Sequence, residues 1–389
     1  MKELARITDG FTESVIREMT RISDAIGGNN LSQGFPDFDC SDEIKEAAIK
    51  AIKDNYNQYP VTFGEFALRE AISKKAISYN KFSCNPETDI TVTCGATEAM
   101  IASMKAIINP GDEVIIFEPY YENYGADVIL SGAAPRYIPL KAPDWKYDYD
   151  DLKRLFNNRT KAIIINTPNN PTGKVFSMSE LTGIAELCMK WDVIAVTDEI
   201  YEHILYDGEK HISIASLPGM ADRTITINSI SKTYSVTGWR IGWAIAQPEI
   251  TSRIRKVHDF LTVGAPTPFQ YAAVEALNFP CEYYLNLQSR YLSSRSILYN
   301  ALKNNEFKPY LPKGAYYIIA DYSGPEKYIN ADNDFDFSIK LLHKTGIATV
   351  PGSSFFSEGK TTSYVRFAFC KKNATLEKVN EALTKIYTK

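Results

Sequence analysis

Between residues 90 and 229, short β-branched runs alternate with helical patterns, and this alternation limits the fold more than any other feature of the chain. The runs cover residues 90–93, 113–117, 162–165, 193–197 and 224–227, and helical spacing such as that of residues 178–190 lies between several of them. Strands separated by helices connect through crossovers, which join parallel neighbours. The pattern therefore predicts an α/β fold, a mostly parallel central sheet covered by helices. Each run also ends in residues suited to chemistry. These are Gly95-Ala-Thr97, Pro119-Tyr-Tyr121, Asn169-Asn-Pro-Thr-Gly173, Asp198-Glu-Ile-Tyr201 and Ser229 to Lys232. Ligands of open α/β sheets sit beyond the carboxyl ends of the strands, so the five clusters are expected to converge on one site.

The flanks read differently. Phe11, Val15, Met19 and Ile22 have helical spacing, and Gly27-Gly28 stops it. From about Tyr284 a long polar helical pattern leads to strands at 315–320 and 364–369 and a last helix near 376–387. The flanks are expected to build a smaller α+β domain. The expected division is 1–44 for an N-terminal arm and part of that domain, 45–285 for a large cofactor-binding domain, and 286–389 for the rest of the small one. A cleft between domains is a common place for a small-molecule site.

Composition excludes several classes. The 389 residues carry a formal charge of −4, and Lys and Arg are scattered without runs, so no nucleic-acid partner is expected. Six cysteines lie far apart with no CxxC pair. That argues against a zinc ribbon or a dense disulfide framework, and reduced thiols, a cytoplasmic location and no metal site are expected. The opening Met-Lys-Glu-Leu-Ala-Arg mixes charges, and no apolar run approaches the ~20 residues of a membrane span, so neither export nor a membrane partner is expected.

The segment Ser229-Ile-Ser-Lys232-Thr-Tyr-Ser-Val-Thr-Gly-Trp-Arg240 concentrates hydroxyls, an amine and a guanidinium. Lys232 can form a Schiff base with an aldehyde, Ser229 can hydrogen-bond a phosphate, and Arg240 can clamp the same phosphate with its planar fork. The segment reads as an anchor for pyridoxal 5'-phosphate. The ordinary alternative is three polar residues on a solvated face. Asp198 ends an apolar run, so its carboxylate needs a cationic partner, and a protonated pyridine nitrogen is one. A helix cap is the plainer role. Tyr201, three residues on, can share its face and donate to the cofactor's phenolate oxygen, unless it is a core tyrosine. Asn170, in a turn fixed by two prolines and a glycine, can aim its amide at a ring oxygen or a substrate carboxylate. Gly95, Ala96 and Thr97 open a helix whose free N–H groups favour phosphate, with a simple cap as the alternative for Thr97. Tyr121 can stack on the ring or serve packing alone. Arg366 is a charge inside the apolar strand Tyr-Val-Arg-Phe-Ala-Phe; a substrate carboxylate held bidentately would satisfy it, and an internal salt bridge is the competing account.

Taken together, the motifs resemble the class I/II aminotransferases, the aspartate aminotransferase superfamily of fold-type I pyridoxal phosphate enzymes. The resemblance runs through Gly34-Phe-Pro-Asp-Phe38, Gln58-Tyr59, Gly64, Leu68-Arg-Glu-Ala-Ile72 and Gly111-Asp-Glu-Val114. It continues through Asn169 to Gly173, Asp198 to Tyr201, Ser229 to Lys232, Gly238-Trp-Arg240, Pro351-Gly352 and Arg366. It implies Lys232 as Schiff-base lysine and proton shuttle, Asp198 as pyridinium partner, and Tyr201 and Asn170 as phenolate-oxygen contacts. Ser229, Arg240, Ala96 and Thr97 would hold the phosphate, and Tyr121 would stack on the ring. Arg366 and the Gly34 backbone would receive the substrate carboxylate. Tyr59 matches the tyrosine that reaches the neighbouring subunit's phosphate, which implies a homodimer. Two departures bear on substrate. Tyr121 stands where many members have Trp or Phe, and Thr97 stands where some aspartate-specific relatives have a lysine for the distal carboxylate. The resemblance thus implies transamination between an amino acid and a 2-oxo acid, with neutral, aromatic or sulfur-containing substrates rather than strictly aspartate.

Two rivals share these residues. A Cβ–Sγ lyase would use the same anchor, because the carbanion can lose a β-substituent instead of being reprotonated. Ser229-x-x-Lys232 with Tyr328-Ile-Asn330 and Lys344-Thr-Gly346 also matches the penicillin-recognising serine enzymes, which need the serine to open a helix and the KTG triplet to lie on an edge strand.

Overall fold

In a computed structural model, which describes residues 4–357 and 360–387, the middle of the chain forms a seven-stranded sheet. The order across it is Ile90–Thr93, Gly242–Ile245, Thr224–Ser229, Ile194–Asp198, Thr160–Asn166, Glu113–Glu118 and Ala134–Pro139. Neighbours are parallel except where Gly242–Ile245 takes part. That strand runs against both of its neighbours, so the others all point one way and the five clusters lie along one edge of the sheet. The α/β fold holds.

Two strands escape the sequence pattern. Ala134–Pro139 is an edge strand with two prolines and a largely solvated face, where Pro is tolerated. Gly242–Ile245 is short and follows the Gly-Trp-Arg turn directly. The expected run at 193–197 ends one residue later, so Asp198 is the tip of its strand rather than the cap of a helix. The helix Met178–Trp191 opens on a Ser177/Glu180 capping box and stops at Asp192, whose φ of 54° is left-handed.

Alternation along the strands places side chains on both faces. Val114, Ile116, Ala162, Ile164 and Val196 pack against the helices Gly95–Ile107 and Pro248–Leu261. Ile115, Phe117, Ile163, Ile165 and Ala195 pack against Met178–Trp191. Each fully buried aliphatic contributes roughly 1.5–3 kcal/mol, and a sheet so covered holds its strand tips in place.

The N-terminal helix, Val15–Ala25, begins after Phe11, because Ser14 caps it by accepting from the Arg17 N–H. Beyond it, Asn29–Asn30 pairs in parallel with Ile347–Ala348, which ties this stretch to the tail. There Val350–Pro351, Tyr364–Ala368, Tyr317–Asp321 and Lys308–Pro309 form an antiparallel sheet. Its core includes Leu287, Tyr291 and Leu298 of the long helix Cys281–Asn304. Residues 1–3 of the expected arm, and 358–359 and 388–389 of the expected small domain, lie outside the described residues. Among the described residues no helix is long and apolar enough to cross a membrane.

The serine-enzyme alternative fails on geometry. Lys344 and Thr345 end the helix Asp334–Thr345, and Gly346, at φ 73°, caps it with an N–H bond to the Leu342 carbonyl. Ser229 closes a strand instead of opening a helix.

Candidate active site

A cavity of about 760 Å³ opens at the carboxyl edge of the large sheet. Gly34, Ala96, Thr97, Tyr121, Asn170, Asp198, Tyr201, Ser229, Lys232, Arg240 and Arg366 all line it. Tyr59 does not; its side chain is 84% exposed. Register explains much of this gathering, since Asp198 is level with Asn166 on one side and Ile227 on the other, while Gly242 is level with both Ser229 and Thr93.

At the centre, Lys232 Nζ donates to the Gly34 carbonyl at 3.0 Å. Burial chiefly, with the charges of Arg240 and Arg366, brings the amine down to about 8 against the opposing influence of Cys370 and Asp198. Asp198 is 5% exposed; its carboxylate accepts from the Tyr124 hydroxyl at 2.6 Å and from the Ile200 N–H at 3.3 Å. Burial outweighs these donors and pushes its pKa up to about 6. No cation within 4 Å offsets the charge among the described residues, so a cationic ligand has a place there.

On one side lies a flat cradle. A Cβ on Gly95 would stand 2.2 Å from Arg240 Nη2, and one on Gly242 would stand 2.5 Å from the Ala96 nitrogen. Hydrogen at Gly95 lets the Arg240 guanidinium, and hydrogen at Gly242 lets the strand Gly242–Ile245, approach the first turn of the helix Gly95–Ile107. That turn has N–H groups with no intrahelical acceptor, and the helix dipole adds positive potential. Arg240 itself is held by the Thr237 carbonyl at 3.0 Å, and Ser229 Oγ accepts from the Ser231 N–H at 3.2 Å.

On the other side, Arg366 is 1% exposed; among the described residues no carboxylate lies within 4 Å of it and Glu122 acts on it only at longer range, so the internal salt bridge is absent. Its Nη1 donates to Asn170 Oδ1 at 2.8 Å, its Nη2 donates to the Ser32 carbonyl, and its Nε has no partner. The rings of Tyr317 and Phe355 lie 4.3 and 4.8 Å from the guanidinium carbon. With its oxygen engaged, the Asn170 amide retains its N–H donors. Tyr201 and Tyr317 share a hydroxyl contact at 2.9 Å.

The sequence reading missed Tyr124, Tyr317 and Glu122. Tyr124 lies in the first turn of the helix Asn123–Leu130, and nothing in its spacing sets it apart from the other tyrosines until Asp198 is brought to it. Glu122 accepts from the Ser14 hydroxyl and is pushed upward mainly by burial, against the pull of Ser14, Arg366 and Arg17. Outside the cavity, Glu199, Glu202 and His211 bring their ligand-type atoms within 4.8 Å of one another, but the Lys75 ammonium reaches Glu202 and supplies positive charge there.

These residues fit pyridoxal phosphate. Among the described residues Ser231 Oγ and Arg366 Nε are buried on the cavity wall without partners, Ala96, Thr97 and Arg240 face the cavity together, and Asp198 has no cation in contact. Comparison with known proteins agrees. The family described as aminotransferase class I and II matches residues 27–386. The chain is 34% identical to kynurenine–oxoglutarate transaminase of Dictyostelium discoideum, covering 97% of this chain and 95% of that one. It is 33% identical to methionine aminotransferase of Escherichia coli over 96% of each. The solved N-succinyldiaminopimelate aminotransferase of Mycobacterium tuberculosis superposes with a TM-score of 0.94 at 35% identity, over 99% of this chain and 100% of that one. A match of this extent, on a chain with this fold and this cavity, shows that the protein belongs to the class I and II aminotransferases, the fold-type I enzymes that use pyridoxal phosphate.

Proposed function

We propose that this aminotransferase exchanges amino groups between neutral, aromatic or sulfur-containing amino acids and 2-oxo acids, in two half-reactions at the cavity described. Pyridoxal phosphate, when bound, supplies an aldehyde for amines and a protonated ring that withdraws electrons from the substrate Cα. Lys232 Nζ takes the proton from that carbon and returns it. Asp198 holds the ring nitrogen protonated, with Tyr124 fixing its orientation. Tyr201 and the Asn170 amide would hold the cofactor's phenolate oxygen, and Tyr121 would pack against its ring. Ala96, Thr97, Ser229 and Arg240 hold the phosphate. Arg366 and Gly34 receive the substrate carboxylate, with Asn170 orienting the guanidinium.

One observation carries the substrate preference. Ile16 and Tyr121 line the cavity and cluster with Phe355, whose ring lies against Arg366, so a side chain anchored there meets apolar surface. Glu122 also lines the cavity, and a carboxyl group there offers no positive charge to a distal carboxylate. Relatives named for kynurenine and methionine support the same preference. A panel of amino acids tested in single half-reactions checks it. Phenylalanine, kynurenine or methionine should exceed aspartate in kcat/KM, and a clear preference for aspartate would reverse the assignment. Release of pyruvate and ammonia from cysteine conjugates without any acceptor would instead reveal the lyase.

The domain division at about residues 44 and 285 belongs to this proposal. So does a homodimer, supported by exposed Tyr59, Val61, Phe260 and Val263, of which the last two flank the cavity residues Leu261 and Thr262 and Phe260 is 91% exposed. Six free cysteines support a cytoplasmic location. Arg240→Ala should weaken cofactor retention by about 10²-fold, the loss of a bidentate charged contact of 1.5–3 kcal/mol, with a smaller effect on turnover of loaded enzyme. Equilibrium dialysis of the cofactor reads this directly.

A further inference from the structure

His258 lies in the helix Pro248–Leu261, fully buried, and the reading above gives it no role. Its Nδ1 is 2.7 Å from Glu98 Oε1 and its Nε2 is 2.7 Å from the Thr62 carbonyl oxygen. A carbonyl oxygen only accepts, so Nε2 carries a proton. Glu98 also accepts from the Thr262 hydroxyl at 2.7 Å and from the Cys94 N–H. Donors of this kind favour an ionised carboxylate, which again only accepts, so Nδ1 carries a proton too. The ring is then a cation.

Its two partners lie on different elements. Glu98 reaches back to the N–H of Cys94, the residue that begins the helix Gly95–Ile107. Because Glu98 occupies that donor, the next amides, of Gly95, Ala96 and Thr97, are left to an external anion. Thr62 lies in the loop that carries Tyr59 and is pinned to the first strand by the Val92 N–H bond to the Phe63 carbonyl, 3.0 Å.

We propose that His258 is a positioning residue: held as an imidazolium, it clamps the first turn of the helix Gly95–Ile107 to the Thr62 loop, and the grip on phosphate loosens when the ring loses its proton. The inference rests on the reading of that turn as the phosphate site. Burial favours the neutral ring, but the Glu98 hydrogen bond and charge, with the Thr62 carbonyl and Asp259, outweigh it and hold the pKa above the ordinary histidine value. The clamp is therefore intact below that ordinary value and is lost as pH rises through the folded one. Other charges nearby are Arg240, which faces Cys94 beyond Glu98, and Arg255, one turn back, whose guanidinium binds the Glu87 and Ile90 carbonyls and lies 3.8 Å from the Phe63 ring.

Holoenzyme labelled with ¹⁵N-histidine provides the test, since the chain has 4 histidines and the His258 signals are those missing from His258→Gln. At about pH 6.5, where an ordinary histidine is half neutral, both ring nitrogens should be predominantly protonated. A neutral ring there overturns the proposal. The cofactor dissociation constant, followed by dialysis from about pH 6 to about 10, should rise about tenfold through the pH at which this ring titrates. Glu98→Gln removes the charge that retains the proton, so ring titration and affinity inflection should move together to lower pH. An inflection that stays in place while the titration moves overturns the coupling, and if His258→Gln does not fold, substitution of His203, His211 and His343 assigns the His258 signals by elimination. Arg240→Ala separates the two readings. Unchanged retention in that variant, beside a charged His258, removes the phosphate site and the coupling with it.

Discussion

Lys232→Ala should lose transamination altogether, with kcat down by at least about 10⁴-fold, since one substitution removes both a covalent partner and the proton-transfer base. The surroundings ease the loss of the amine's proton. The amine donates to the Gly34 carbonyl at 3.0 Å, and burial has brought its pKa down to about 8. An amine must be neutral to attack an aldehyde. Cofactor capture by the unliganded protein should therefore quicken about tenfold per pH unit below 8 and level off above it, because the neutral fraction follows that pKa. The alanine variant should show neither the capture phase nor its pH dependence, while noncovalent binding through the phosphate persists. Stopped-flow absorbance separates the two processes. A variant that transaminates at the normal rate without added amine would remove Lys232 from the mechanism.

What the sequence revealed, and what it hid, follows from the range of the interactions. The central sheet was legible because residues such as Val114 to Phe117 are buried on both faces, so their pattern needs no knowledge of partners. The strand Gly242–Ile245 was not legible, since its place beside Ile90–Thr93 depends on pairing across more than a hundred residues. Arg366 stood out as a charge in an apolar strand, yet the absence of a neighbouring carboxylate could be seen only in three dimensions. Tyr124 and Glu98 were hidden for a related reason. Each looks like an ordinary helix residue until Asp198 and His258, 74 and 160 positions away, are brought to it.

Asp198→Asn should change activity and stability in opposite directions. The carboxylate is 5% exposed and has a pKa near 6, so folding raises it from the ordinary value near 4, with burial as the main cause. An acid whose pKa is raised by folding keeps more protons in the folded state than in the unfolded one. Stability of the unliganded protein therefore falls as pH rises from about 4 through about 6, and above that window the cost is on the order of 3 kcal/mol. Asparagine carries no charge to bury, and its side-chain oxygen can still accept from Tyr124. The unliganded variant should melt at a higher temperature than the parent at pH 8, with the difference vanishing near pH 4. Turnover should fall by about 10²–10³-fold, the usual loss when a preorganised charge is removed from a reacting centre. Thermal unfolding at the two pH values and kcat/KM on one substrate measure both sides. A variant that is less stable at pH 8 would show that the carboxylate is needed for the fold. One that is more stable and still fully active would show that no cation has to be balanced there. A charge that destabilises the empty protein while accelerating the loaded one is what a site shaped for a protonated ring requires.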